Sequence, residues 1–597
     1  MSLLFLLLMV ALGICLAPIW LLARRNLRAP EYFIASQPTP PDVIRNCSVA
    51  YPLRIAAFGP LFAWGASGDL WPAIISAACF GLGVYLIYAL RRPLLAFLDS
   101  ALDGNVSLTV PAFIAKWHGN DDRVRLLTAG LTIVALTGLI AVEAFATATL
   151  VAPAMMESAR SVYLLAGGML ALTVLYTVFA GNSGVMHLVQ LQAGIIYLAL
   201  FGSTALLLYF LVSDVTTLPP HGSFAVVFIA AASLFILFFR RFKYIDNTPI
   251  DRTNGPDADG GVRRSFVSRL LRRLEKALDA FISVFVILVI VLIIMEFSFF
   301  GVPAIARDSI VALQTGAGIG ATALLTIVIV PLLYPVVDVA TWQRLAALAK
   351  NTRSEPELRS LTLARIFNSL AAEVTLLLLL MCMLGAVAAV ATETPVDRDV
   401  LQTFIGQLAL DDSLPASLAI SFLLLGMFAM ALSAMSSMLS ASLWVLRYDV
   451  LPALWPALAP DRVNPGDEAM ARRHTILVGC GLCFAAILLT DFAETLLGMS
   501  FTSSTFLAAL FTCWCAQLSF VSLVLGPIVQ RSGMGAVSAP WALVIVGVAA
   551  ASGIAAVSAY LATGAEAWLW AAVPACFGSG LVLFAVARLS RGKSAMT

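Results

Sequence analysis

Residues 48–65 read SVAYPLRIAAFGPLFAWG, and the whole chain is best understood outward from them. The stretch is apolar enough for lipid, yet it carries two prolines, Pro52 and Pro60, two glycines and an arginine, Arg54. Proline removes a backbone donor and strands a carbonyl, so a helix breaks or kinks here. Irregular backbone at membrane depth is tolerated only where it is buried or lines a cavity. In secondary transporters, such freed carbonyls and helix ends coordinate ions and small solutes. A second stretch of this kind is 325-LTIVIVPLLYPVVDVATWQR-344, with Pro331 and Pro335 one turn apart. Two proline-interrupted segments, about five spans apart once an inserted pair is discounted, are the mark of an inverted repeat. The competing reading is a pair of merely kinked helices.

Around these two segments the chain is overwhelmingly apolar. Of its 597 residues 61% are hydrophobic and 12% charged, and the mean hydropathy is +0.95. No single soluble core buries that much apolar surface. A hydrocarbon layer of about 30 Å takes about 20 residues of helix, whose backbone groups are satisfied within the segment. The fold class expected is therefore an all-α polytopic membrane protein. Fifteen candidate spans can be drawn: 3–23, 46–68, 72–90, 126–153, 161–181, 183–212, 223–240, 280–302, 313–338, 362–392, 414–446, 474–490, 498–527, 538–562 and 566–590. The first has no basic n-region and no small-residue cleavage site before Arg24-Arg25, so it reads as a retained helix.

With the N-terminus outside, nearly all of the 36 lysines and arginines fall on one face, including Arg24, Arg91, Lys116, Arg240, Arg263, Arg344, Arg472 and Arg591. That is the positive-inside pattern, and an odd number of spans then leaves the C-terminus cytoplasmic. The expected location is a plasma (inner) membrane, crossed many times. The net charge of +2 carries no signal for nucleic acid. The polybasic run 263-RRSFVSRLLRRLEK-276 reads as a topology anchor or as a patch for anionic membrane lipid. Residues 112–125 read as an amphipathic piece lying at the inner interface.

Enzyme chemistry finds little support. The chain has no G-x-x-x-x-G-K-[ST], H-E-x-x-H or G-x-S-x-G, and its four histidines are scattered. Cys480-Gly-Leu-Cys483 lacks a second ligand pair and reads as small apolar packing. No enzyme activity, organic cofactor or nucleic-acid partner is expected, and the chain stops within about ten residues of its last span, with no appended signalling domain.

Five segments, in order, resemble the sodium:solute symporter family: 31-EYFIASQ-37, 107-SLTVPAFIAKWHG-119, 336-VVDVATWQRLAALAK-350, 429-AMALSAMSSMLSASLWVLRYDVL-451 and 526-GPIVQRSGMGAVSAPWALVIVG-547. The resemblance implies a LeuT-like architecture of ten core helices in two inverted five-helix repeats, with extra helices. It divides the chain into an extra helix (1–25), a first repeat (46–212), an inserted pair with a basic loop (213–312), a second repeat (313–530) and trailing helices (531–597). The first core helix is then 46–68, the sixth 313–338 and the eighth 414–446, so the two proline-bearing segments become the broken helices.

The resemblance further implies a sodium ion held between carbonyls near Val49 and Pro52 and adjacent hydroxyls on the eighth core helix. The hydroxyl positions fall at Ser433 and Ala434, leaving Ser433 as the one side-chain sodium ligand. Ser436 and Ser437 extend that polar face, or bond carbonyls of their own helix. The acid of the family's T-D-x-x-Q falls on Val189, with Gln192 as its glutamine. One ligand oxygen and one carboxylate are thus replaced by methyl groups. Arg54 stands in the same broken helix, and a buried guanidinium is permanently charged. It either takes the electrostatic place of sodium or snorkels to the cytoplasmic interface. Intramembrane acids are Glu143, Glu296, Glu373 and Asp338, and an Arg54–Glu143 pair is the favoured arrangement. Tyr334 matches the aromatic that closes the inner side of the pocket in sugar-transporting relatives, or is a packed amphipathic ring. Arg54, Glu143, Tyr334 and Asp338 are accordingly the candidate solute-binding residues.

The function expected is alternating-access transport of a small polar organic solute, with sodium symport implied by the resemblance. A sodium-independent or proton-coupled carrier, and a non-transporting solute sensor with a separate signalling partner, are the other readings.

Overall fold

Pro52 takes the expected span 46–68 apart. In the computed structural model, which describes residues 41–67, 70–91, 93–97, 108–155, 159–214, 320–351, 356–392, 400–410, 414–455, 468–497, 503–529 and 537–594, helix α1 (Pro41–Ala50) ends just before it and α2 (Ile55–Ala66) begins after four intervening residues, 51–54. Residue 52 has no amide hydrogen to offer the Ser48 carbonyl, and the Leu53 amide turns to Ala50 at 3.1 Å. The Arg54 amide bonds the Pro52 carbonyl at 3.0 Å, and Arg54 is extended (φ −110°, ψ 154°). Pro60, by contrast, is carried within α2.

The second interruption differs from the expectation. Helix α7 (Ala321–Val337) runs through both Pro331 and Pro335, and the break falls at Asp338, before α8 (Val339–Asn351). Each proline costs α7 a single ladder bond, which packing tolerates, whereas Asp338 actively starts a new helix. Its Oδ2 accepts the Thr341 amide at 3.0 Å and the Thr341 hydroxyl at 2.6 Å, an N-cap that favours non-helical backbone at the capping residue. The Trp342 indole donates back across the break to the Val336 carbonyl at 2.9 Å.

The other described helices, besides a single turn at Leu451–Leu454, are α3 (Leu70–Ala89), α4 (Val110–Trp117), α5 (Asp122–Met155), α6 (Ala159–Asp214), α9 (Pro356–Thr392), α10 (Val400–Leu410), α11 (Leu414–Val445), α12 (Glu468–Leu497), α13 (Ser503–Leu518), α14 (Val521–Val529), α15 (Ala539–Thr563) and α16 (Glu566–Ser594). Among the described residues, ten stretches are long and apolar enough to cross a membrane. The chain is a multi-pass membrane protein. Expected spans 3–23, 223–240 and 280–302 lie outside the described residues, as do the segments 31–37 and 263–276 and Glu296. The two spans expected at 161–181 and 183–212 meet in α6 at Gly181, whose φ of 60° and ψ of −173° belong to a conformation only glycine adopts readily.

The helices pack reciprocally. α2 lies against α9, and α7 lies against α3. Both crossings need glycine. A Cβ at Gly65 would sit 1.7 Å from the Cys382 carbonyl oxygen, one at Gly385 2.0 Å from that of Phe62, and one at Gly83 2.4 Å from that of Leu332. Small residues let backbones touch where lipid supplies no hydrophobic drive between helices. α11 packs along α6 and α5, at the centre of the bundle.

Two expectations from charge and amphipathicity are corrected by packing. Residues 110–115 of α4 are buried, with Phe113 set between Phe97 (centroids 5.3 Å apart) and Trp342 (5.0 Å), so this helix does not lie on the surface. Arg344 is not in a loop: it sits inside α8, 5% exposed. The 393–413 connection contains a helix that composition did not reveal, α10, whose Phe404 covers Phe62 of α2 at 5.5 Å. After α11 the chain forms a π-helical turn (Leu446–Val450) that presents Asp449 to Arg125 at the start of α5, at 2.6 Å.

Candidate functional site

The two breaks meet. Tyr51, the first residue after α1, donates its hydroxyl to Asp338 Oδ1 at 2.7 Å, so the aromatic of one break is tied to the acid of the other. Arg54 reaches across the same gap: its Nη1 donates to the Tyr334 hydroxyl at 3.1 Å, and its guanidinium carbon lies 4.2 Å from the Tyr51 ring centroid and 5.0 Å from that of Tyr334. A planar guanidinium stacks on aromatic faces as an ammonium cannot, and the stacking strengthens where water is excluded. Arg54 is 7% exposed, enclosed by protein rather than extended to a helix end.

Glu143 takes a different partner from the one expected. From α5 its Oε2 accepts the Ile55 amide at 3.0 Å, the first turn of α2. Arg54, the N-cap residue of α2, gives that turn no side-chain hydrogen bond, so a carboxylate from another helix supplies the cap. An anion at a helix N-terminus also complements the helix dipole. Arg54 and Glu143 form no ion pair: the carboxylate meets backbone amide, the guanidinium meets two tyrosines. The two half-helices starting at the breaks, α2 and α8, are therefore each capped by an acid, Glu143 from outside and Asp338 from within.

The sodium positions implied by the resemblance look different in three dimensions. Ser433 Oγ donates to the Met430 carbonyl at 2.9 Å and Ser436 Oγ to the Ser433 carbonyl at 3.1 Å, both inside α11. Ala434 is a buried methyl between them, and Val49 and Val189 are buried as well. Ser437 is engaged from across the bundle: its Oγ accepts Arg344 Nη2 at 3.0 Å. One turn on, Ser440 accepts Gln343 Nε2 at 3.2 Å and donates to Asn182 Oδ1 at 3.1 Å, which links α8, α11 and α6. Gln192 is buried with neither side-chain polar atom bonded. Glu373, in α9, accepts the Tyr197 hydroxyl at 3.0 Å, apart from the breaks.

Of the residues singled out in the sequence, Arg54, Tyr334 and Asp338 come together, with Glu143 bonded to the amide of Ile55, the residue after Arg54. Tyr51 and Arg344 were missed, although both lie in quoted motifs. Tyr51 immediately precedes Pro52, and Arg344 closes the stretch 325–344. The Arg344 guanidinium carbon lies 4.5 Å from the Tyr51 ring centroid, so Tyr51 contacts both cations.

No family model matches the chain, and no curated protein matches it. Among solved structures, the chain is similar to a Na+-coupled sialic acid symporter in a substrate-bound, outward-open state, with a TM-score of 0.59 over 98% of this chain and 98% of that one, at 13% identity. Likeness at that identity concerns the fold alone. The chain thus has a fold similar to that structure's, built around two helix breaks that face each other.

Proposed function

We propose that the protein is a secondary transporter, and not an enzyme, moving a small polar organic solute across the membrane by alternating access. The observation that carries this reading is the Tyr51–Asp338 contact between two interrupted helices, with Arg54 and Tyr334 beside it. Interrupted helices place directional polar groups at the bundle centre without exposing backbone to lipid, and a solute recognised there is in contact with both halves of the fold. Solute contact would fall to Arg54, Tyr334 and Asp338, with Glu143 holding α2 in place. The orientation proposed is N-terminus outside and C-terminus cytoplasmic, from the distribution of basic residues.

Coupling has two readings. Sodium symport follows from the family resemblance and is what the structural neighbour does, with Ser433 and the carbonyls of Val49 and Pro52 as ligands. A sodium-independent or proton-coupled carrier is favoured by the α11 geometry: Ser433 points its hydroxyl at its own helix, Ala434 has no oxygen, and a permanent cation, Arg54, already stands in the break. Uptake into proteoliposomes under a sodium gradient, against choline replacement at clamped potential, separates the two. Stimulation by more than about tenfold, a coupling of about 1.4 kcal/mol, establishes sodium symport and removes Arg54 as the substitute cation. A solute that binds the purified protein yet is never carried overturns the transporter reading in favour of a sensor.

A further inference from the structure

α8, which starts at the second break, packs against both α1 and α11. Two consecutive residues bind it to α11: Gln343 Nε2 donates to Ser440 at 3.2 Å and Arg344 Nη2 to Ser437 at 3.0 Å. On its other side the Arg344 guanidinium meets the end of α1. Its carbon lies 4.5 Å from the ring centroid of Tyr51, whose hydroxyl is held by Asp338. Cys47, one turn before Tyr51, and Val189 of α6 line the same place. Arg344 is 5% exposed, and the space left beside it, about 10 Å³, is no more than one water needs. A permanent positive charge thus fills the place where α1, α8 and α11 meet.

A diffusible cation finds poor terms here. Hard cations require several oxygen ligands. The oxygens that the family resemblance would offer are committed elsewhere: the Ser433 hydroxyl donates to the Met430 carbonyl, and the Pro52 carbonyl accepts the Arg54 amide at 3.0 Å. Ala434 and Val189 bring methyl groups. Arg344 itself repels a second cation, and in a medium of low dielectric that repulsion is strong. A guanidinium suits these neighbours better than an ion does. One edge donates to a hydroxyl, the face stacks on a ring, and the group is more weakly hydrated than an ammonium.

We infer that Arg344 is a tethered cation that holds α1, α8 and α11 together, and that their junction takes up no metal ion. Its part in coupling rests on the sodium-independent reading above. An ion that leaves the junction responds to its gradient, whereas a side chain is present throughout the cycle.

The test uses the purified full chain in lipid nanodiscs and follows the thermal unfolding midpoint. Sodium chloride is titrated against choline chloride at constant ionic strength, and the native chain should keep the same midpoint in both. Arg344→Ala should lower the midpoint. Guanidinium at low millimolar concentration should then raise it saturably, recovering at least half of the loss by entering the vacated place, with no such rise in the native chain. A saturable rise of the native midpoint with sodium would overturn the inference, as would a guanidinium response absent from Arg344→Ala or equal in the native chain. Should Arg344→Ala not fold, Ser437→Ala removes the hydroxyl and leaves the charge. Its midpoint should fall and stay equal in sodium and choline; an unchanged midpoint or a new response to sodium would overturn the inference. These readouts involve no transport. A solute that is bound and never carried would remove the carrier reading and leave the midpoints as they are.

Discussion

The Tyr51 hydroxyl lies 2.7 Å from Asp338 Oδ1, and through that one contact the break after α1 is joined to the break before α8, 287 residues later. Asp338 is also the N-cap of α8, so the contact couples the geometry of α1 to the start of a helix far along the chain. A solute entering between the breaks must either keep this bond or replace it.

Tyr51→Phe keeps the ring that both guanidiniums touch and removes only the bond. The substitution should cost about 1–2 kcal/mol, the scale of interhelical hydrogen bonds in membranes. Thermal unfolding in detergent should show a lowered midpoint, and solute uptake should fall. An unchanged midpoint would mean that Asp338 finds another donor at no cost.

Glu143 distinguishes a helix cap from an ion pair. Glu143→Gln retains a side-chain oxygen for the Ile55 amide and loses the charge, so it should cost no more than the charge–dipole part, about 0.3–1 kcal/mol. Glu143→Ala leaves the amide unmet in the interior and should cost about 1–3 kcal/mol. Equal losses in both variants would argue that the charge of Glu143, acting on Arg54, is what matters.

Arg54 contacts two rings and one hydroxyl through a planar group. Arg54→Lys preserves the charge without the plane and should weaken solute affinity by about tenfold, whereas Arg54→Gln should abolish binding. Thermal-shift titrations against amino acids, short organic acids and sugars provide the readout. Native affinity in Arg54→Gln would remove this residue from the solute site.

The helix crossings can be tested by sterics alone. Gly65→Ala drives a methyl group to within 1.7 Å of the Cys382 carbonyl oxygen, and the backbone on either side must move. A loss of about 1–3 kcal/mol or more is expected, with impaired folding in the membrane. Gly547→Ala, in α15, meets nothing within 4 Å and should be neutral or slightly stabilising. The two midpoints measured side by side check the contrast.

Much of this architecture was legible because lipid constrains sequence severely. Ten long apolar stretches announce themselves by length, and the gap between the paired spans at 181–183 coincides with the joint at Gly181. Pro52 located the first break correctly, since a missing amide hydrogen is a property of the residue itself. Pro331 and Pro335 misplaced the second by about one turn, because a helix survives a proline when its neighbours hold it, and Asp338 ends the ladder by capping instead.

Residue identity and order determined the membrane class, ten of the spans among the described residues, the first interruption and the set of charges at the breaks. Partnership was decided only by the tertiary structure. Arg54 meets Tyr334 and not Glu143, Glu143 meets the amide of Ile55, and Arg344 leaves the loops to bond Ser437. Periodicity fixes which residues must avoid lipid, but a buried charge settles wherever the fold brings a donor, an acceptor or a ring within reach. Those neighbours come from helices hundreds of residues apart.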